Sequence, residues 1–225
     1  MDFENLSHAY FGSKARAYVA RRALAHKWWA ENKAAEALLR HVRPGARHLD
    51  APIGTGRIIP IAAAHDFDVH GLDTSADMLR EAQAFSSSLG HRIWLAKGDI
   101  RKIPFPDDYF DVVTCLRFLN WIDEAGLRQV LAELTRVSRD KILIGVRYRP
   151  RILALLNRWD PWRAFVLATR LSELRAMRHG LQNHPQGLLE SLLFELSLTV
   201  VDRQVIEHRW DGTDYEFLLL RKCGV

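Results

Sequence analysis

The chain has few cysteines, 2 in 225 residues. Cys115 and Cys223 cannot build a disulfide framework or a cysteine-rich metal site. Cys115 lies in an apolar run and reads as core; Cys223 is near the end of the chain. No apolar run approaches the roughly 20 residues of a membrane span. The opening Met1-Asp2-Phe3-Glu4-Asn5 is acidic and has no apolar leader. These absences point to a cytoplasmic protein. Internal repeats, low-complexity tracts and linkers are also lacking, so a single domain over 1–225 is expected.

Acidic residues are outnumbered. The net charge is +5 and the pI about 9.4, a mild excess that permits anionic partners without requiring them. The excess is uneven. Arg147, Arg149, Arg151, Arg158, Arg163, Arg170, Arg175 and Arg178 face only Asp160 and Glu173. Trp159, Trp162, Phe165 and Val166 interleave with them. The preferred reading is an amphipathic lid helix with solvated arginines. The other is a surface for an anionic acceptor, a lipid or a nucleic acid. No stacking motif for RNA is visible.

The residues that are there alternate between two periods. Leu24, Trp28, Ala35, Leu38 and Val42 share one helical face, interrupted by Glu31. Arg43-Pro44-Gly45 stops that helix. Strands are expected near 47–51, 67–73, 92–97, 110–116 and 141–147. Helices are expected near 57–65, 75–86 and 123–138. The last has Leu127, Val130, Leu131, Leu134 and Val137 on one stripe. Such alternation predicts an α/β fold, a doubly wound parallel sheet covered on both faces. Asp160-Pro161 reads as a helix start. Two final strands near 198–207 and 214–221 flank Trp210-Asp211-Gly212-Thr213, a hairpin signal.

One stretch carries the ligand chemistry: His48-Leu49-Asp50-Ala51-Pro52-Ile53-Gly54-Thr55-Gly56-Arg57. An apolar run ends in an acid, passes a glycine turn and opens a helix, whose free N–H groups and dipole favour a polar ligand. Asp73 ends the next apolar run, where a carboxylate can accept both ribose hydroxyls. A dinucleotide fingerprint needs Gly or Ala where Ile59 stands, so a ligand without phosphates fits better. Asp99-Ile100 follows the third strand, suited to an adenine amino group and ring.

Together these segments resemble the class I S-adenosylmethionine-dependent methyltransferases, in the small bacterial type whose motif reads Leu-Asp-x-x-x-Gly-Thr-Gly-Arg. The likeness covers about residues 40–148. It implies a seven-stranded, mostly parallel sheet in the order 3-2-1-4-5-7-6 with an antiparallel C-terminal hairpin strand. It also implies an N-terminal helical cap over 1–43 and a helical lid insertion over 149–195. Carried over residue by residue, Asp50, Gly54 and Gly56 hold the methionine end. Asp73 holds the ribose, and Thr74 and Met78 flank the adenosine. Asp99 and Ile100 meet the adenine, and Leu116 lies in the loop under the methionine moiety. Pro52 departs from the family, which has glycine there.

Methyl transfer from a sulfonium is an in-line displacement that positioning can largely drive, with a base where the acceptor must lose a proton. An Asn/Asp-Pro-Pro-aromatic motif for amines of DNA bases is missing after the fourth strand. The thiols for cytosine C5 or arsenite chemistry are missing too. The expected acceptor is O or N of a small-molecule or lipid-like metabolite. His184 and Tyr18 are the candidate bases, and Tyr10 is a candidate group of the acceptor pocket. Asn120, Trp121 and Tyr148 are candidate acceptor contacts. The alternatives are a methyltransferase for RNA or another macromolecule using Arg147–Arg178, or a non-catalytic cofactor-binding protein. S-adenosylmethionine, with S-adenosylhomocysteine as product, is the implied cofactor; no metal is expected.

Overall fold

A computed structural model describes residues 26–149, 181–208 and 214–224. Tyr10, Tyr18, the Asp160-Pro161 helix start, most of the arginine-rich segment and the 210–213 turn lie outside the described residues.

Helix α1 spans His26–Leu39 and is followed by β1, Arg47–Asp50. The helix ends before the expected stop at Arg43. Then come α2 (Ile59–Ala64), β2 (Asp68–Asp73), α3 (Ala76–Ser88), β3 (Ile93–Lys97) and β4 (Phe110–Cys115). A short 3-10 turn, Leu119–Trp121, leads to α4 (Glu124–Val137) and β5 (Ser138–Arg149). The chain closes with β6 (His184–Pro185), α5 (Gln186–Glu195), β7 (Leu198–His208) and β8 (Asp214–Lys222).

Local chemistry explains the helix starts. Ser75 caps α3 by accepting from the Met78 N–H at 3.3 Å, and Asp123 caps α4 by accepting from Gly126 N–H at 2.8 Å. The apolar stripe of α4 is buried as its spacing predicts. Strand β5 begins earlier than expected, because Ser138 is already extended at the end of α4 and helix passes into strand without a loop.

The sheet runs β3-β2-β1-β4-β5-β8-β7, parallel from β3 to β5 and antiparallel at β8 and β7. Set β6 aside and this is the expected order. The correction is the eighth strand. Two residues, His184 and Pro185, pair in parallel with Tyr148 and Arg149. Since β8 takes the other edge of β5, β6 continues the line of β4 beyond its end.

Both faces of the sheet are covered. On one, Leu49, Leu72, Val113 and Ile144 pack with Leu127 and Leu131 of α4 and Leu192 of α5. On the other, Val69, Val112, Leu143 and Phe217 pack with Leu38 of α1, Ile59 of α2 and Ala82 of α3. Cys115 is buried in the first layer, as expected, and Cys223 is exposed. Among the described residues, no helix is long and apolar enough to cross a membrane, and no His/Cys/Asp/Glu group has metal-holding geometry.

Candidate functional site

Parallel strands bring their carboxyl ends to one edge, so Asp50, Asp73 and the end of β4 converge there without any contribution from sequence proximity. The turn after β1 places Gly54 at φ +55° and Gly56 at φ +80°, the left-handed region that favours glycine. A Cβ on Gly56 would lie 2.3 Å from Ile59 Cδ1, whereas a Cβ on Gly54 would meet nothing within 4 Å. Gly54 thus borders open space. The Ala51–Pro52 bond inside this turn is cis.

Asp73 faces the turn. Its Oδ2 accepts the Gly54 N–H at 2.9 Å, and its Oδ1 accepts the Ser75 N–H at 2.9 Å. Burial raises its pKa, and the backbone N–H groups of Ser75, Gly54 and Thr74 oppose that rise. Each carboxylate oxygen has a second lone pair, so the group can hold a diol while fixing the turn.

Asp50 is 4% exposed. Its Oδ1 accepts the Thr114 hydroxyl at 2.6 Å, and Thr114 Oγ1 lies 3.0 Å from His48 Nε2. Burial pushes the Asp50 pKa up to about 7, against the Thr114 hydrogen bond and the Arg57 charge. Burial also lowers the His48 pKa to about 3, so the ring is neutral. While Thr114 donates to the Asp50 carboxylate, its Oγ1 can accept from His48 Nε2. Sequence reasoning missed this relay. Its signal is two polar residues, His48 and Thr114, inside buried strands. A carboxylate with one free oxygen at such a pKa suits an ammonium group.

Other expected cofactor residues are placed at the same edge. Thr74 is exposed beyond β2, Met78 and Ile100 are buried, and Leu116 is half-buried after β4. Asp99 follows β3 but is already engaged. Arg101 donates from Nε at 2.9 Å and from Nη2 at 2.6 Å to Oδ2, and its backbone N–H reaches Oδ1 at 2.8 Å. Burial resists, yet Arg101 draws the carboxyl pKa below its ordinary value. An adenine amino group would compete with Arg101 for these oxygens.

The expected acceptor residues do come together, but as structural ties. Asn120 Nδ2 donates to the carbonyls of Arg147 and Gln182, both at 2.7 Å, and its Oδ1 accepts the Arg147 N–H at 2.7 Å. These three bonds join β5 to the segment before β6 and leave one Oδ1 lone pair. His184 is 2% exposed. Its Nε2 donates to the Leu119 carbonyl at 2.8 Å, and burial lowers its pKa. That bond holds the ring in the wall. Tyr148 is 6% exposed. Burial and a hydrogen bond to Glu216 push its pKa well above the ordinary value. Trp121 is half-buried in the 3-10 turn.

One cluster was read only as an interruption. Glu31 of α1 is fully buried. Arg57, after the glycine turn, donates to its Oε2, and also to Asn32 Oδ1 at 2.7 Å. Arg117, after β4, donates from Nη1 to Glu31 Oε1 at 3.1 Å and Oε2 at 2.9 Å.

Comparison with known proteins bears on this edge. A family model described as a methyltransferase domain matches residues 49–141. The ubiquinone/menaquinone biosynthesis C-methyltransferase UbiE of Burkholderia cenocepacia is 29% identical over 205 residues, covering 78% of this chain and 75% of that protein. Magnesium protoporphyrin IX methyltransferase from Synechocystis, solved with its bound methyl donor, superposes with TM-score 0.70 at 15% identity, covering 99% of this chain and 98% of the other. Geranyl diphosphate methyltransferase, solved with its substrate and sinefungin, gives 0.63 at 14% identity, covering 84% and 76%. A 4+2 cyclase, SpnF, gives 0.62 at 16% identity, covering 83% and 78%. Because one fold hosts these chemistries, the structural likeness shows the fold, and the activity must be argued from the site.

Proposed function

We propose that the chain is a class I S-adenosylmethionine-dependent methyltransferase that methylates O or N of a small-molecule or lipid-like acceptor. The observation that carries the donor side is Asp73, pinned by the Gly54 and Ser75 N–H groups beside open space at Gly54. That cradle fits a ribose diol, and Asp50 fits the ammonium of a methionyl end. Thr74, Met78 and Ile100 would line the adenosine, and Leu116 the methionyl chain. When bound, S-adenosylmethionine supplies a methyl group on a sulfonium sulfur.

The rest is positioning. The acceptor atom must lie in line with the breaking bond, and holding it so removes much of the barrier. His184 and Tyr18 are the bases we propose for an acceptor that must lose a proton. A carbon acceptor is the second reading, favoured by the UbiE relatives, which are named C-methyltransferases. Calorimetry with S-adenosylmethionine and S-adenosylhomocysteine tests the donor side: both should bind, and no binding overturns the reading. Screening a metabolite extract with labelled methyl donor, then locating the label by NMR, separates O and N from carbon. A substrate RNA would instead show steeply salt-dependent binding.

Asp50 gives a pH prediction. Its pKa stands near 7 in the protein, above the ordinary 3.8. Protonation therefore stabilises the ligand-free fold: that contribution is complete below about 3.8 and is lost as pH rises through about 7. An incoming ammonium needs the carboxylate, so binding expels the proton. Affinity for S-adenosylhomocysteine should rise from pH 5.5 to about 7 and then level off. Calorimetry in buffers of different ionisation enthalpy should show proton release at pH 6; an affinity independent of pH would refute the assignment.

A further inference from the structure

Glu31 touches both walls of the donor edge at once. Arg57 lies just beyond Gly54 and Gly56, and its charge reaches the Asp50 carboxyl. Arg117 lies three residues beyond Thr114, the residue that hydrogen-bonds Asp50. The pairs with Glu31 span 26 and 86 positions of sequence, so only the finished fold assembles them.

The two guanidiniums are not equivalent. Every nitrogen of Arg57 is engaged: it donates from Nε to Asn32, from Nη1 to Glu31 and from Nη2 to the Trp28 carbonyl at 3.4 Å, and it covers the Trp28 ring at 4.5 Å. Arg117 is not. Both its bonds to Glu31 use Nη1, leaving Nε and Nη2 without a partner among the described residues. Its side chain is 24% exposed, against 10% for Arg57. Its backbone sits at φ +63°, an unfavourable conformation for a residue with a Cβ. The bidentate grip of Glu31 on its tip offsets that cost and sets its direction. Two cations against one carboxylate leave the trio one positive charge in excess, and a guanidinium with a free edge is shaped for a carboxylate.

We propose that Arg117, aimed by Glu31, binds the carboxylate of the methionyl end of the donor, with Glu31 as the positioning residue. Asp50 and Arg117 then read the two charges of one amino-acid group. This assignment rests on the methyltransferase reading above.

The test uses two ligands that differ only at that end. S-adenosylhomocysteine carries the amino-acid group; methylthioadenosine has the adenosine and the sulfur without it. Calorimetric titrations of the full chain should show that Arg117→Met weakens S-adenosylhomocysteine about 10- to 100-fold, the range for charge-assisted hydrogen bonds. Methylthioadenosine should change by less than about 2-fold, within the spread of a remote substitution. Arg117→Lys should recover part of the loss, as a point charge without the fork. Glu31→Gln should also weaken the first ligand more than the second. Equal weakening of both ligands by Arg117→Met, or of neither, overturns the assignment. If the unaltered protein binds neither ligand, the donor reading itself falls and this one with it.

Discussion

Asp73→Ala is expected to lower affinity for S-adenosylhomocysteine by at least about 100-fold, from two charge-assisted hydrogen bonds worth about 1.5–3 kcal/mol each. The ribose contacts are only part of that effect. Asp73 also holds the N–H groups of Gly54 and Ser75, so the substitution frees the turn and the start of α3 together. Asp73→Asn is no gentle control, since its amide would point a donor at one of those N–H groups. Titration calorimetry reads the outcome. An unchanged affinity would mean that the ribose is held elsewhere, and the donor site would need a new location.

The second large effect concerns stability. Glu31→Ala should cost about 3–5 kcal/mol, the range seen when one partner of a buried ion pair is removed. The residue is fully buried and pairs with Arg57 and Arg117, of which Arg57 is the more enclosed. Losing the carboxylate leaves two guanidiniums without the acid that pairs them. Urea unfolding followed by circular dichroism measures the change. A loss below about 1 kcal/mol would place both guanidiniums effectively in water, as for an exposed pair.

These two residues also mark the limits of the sequence. The place of Asp73 at the end of β2 was legible because its signal is local: an acid ends an apolar run at a fixed distance from a glycine turn. The stripe and cap of α4 were legible for the same reason, because their period and hydrogen bonds lie within a few residues. Glu31 looked like a flaw in an apolar face because its partners lie far along the chain. Asn120, His184 and Tyr148 lie near one another in the fold, but residue type alone does not reveal the bonds that each makes between segments. Strand β6 has two residues and no period to read. Asp99 fits its motif, while its grip by Arg101 depends on loop geometry that no spacing reveals.

The reach of these pairs also sets an order of assembly. Helices α3 and α4 carry their own caps and close on nearby residues, so they can form early. The donor edge cannot. A growing chain that has completed β3 already contains both glycines and Asp73, yet it lacks Thr114 to orient Asp50 and Arg117 to meet Glu31. Closing that span is entropically costly until β4 docks beside β1. Ligand recognition is thus a late product of folding, and a piece of this protein ending before β4 would carry the motif without the site.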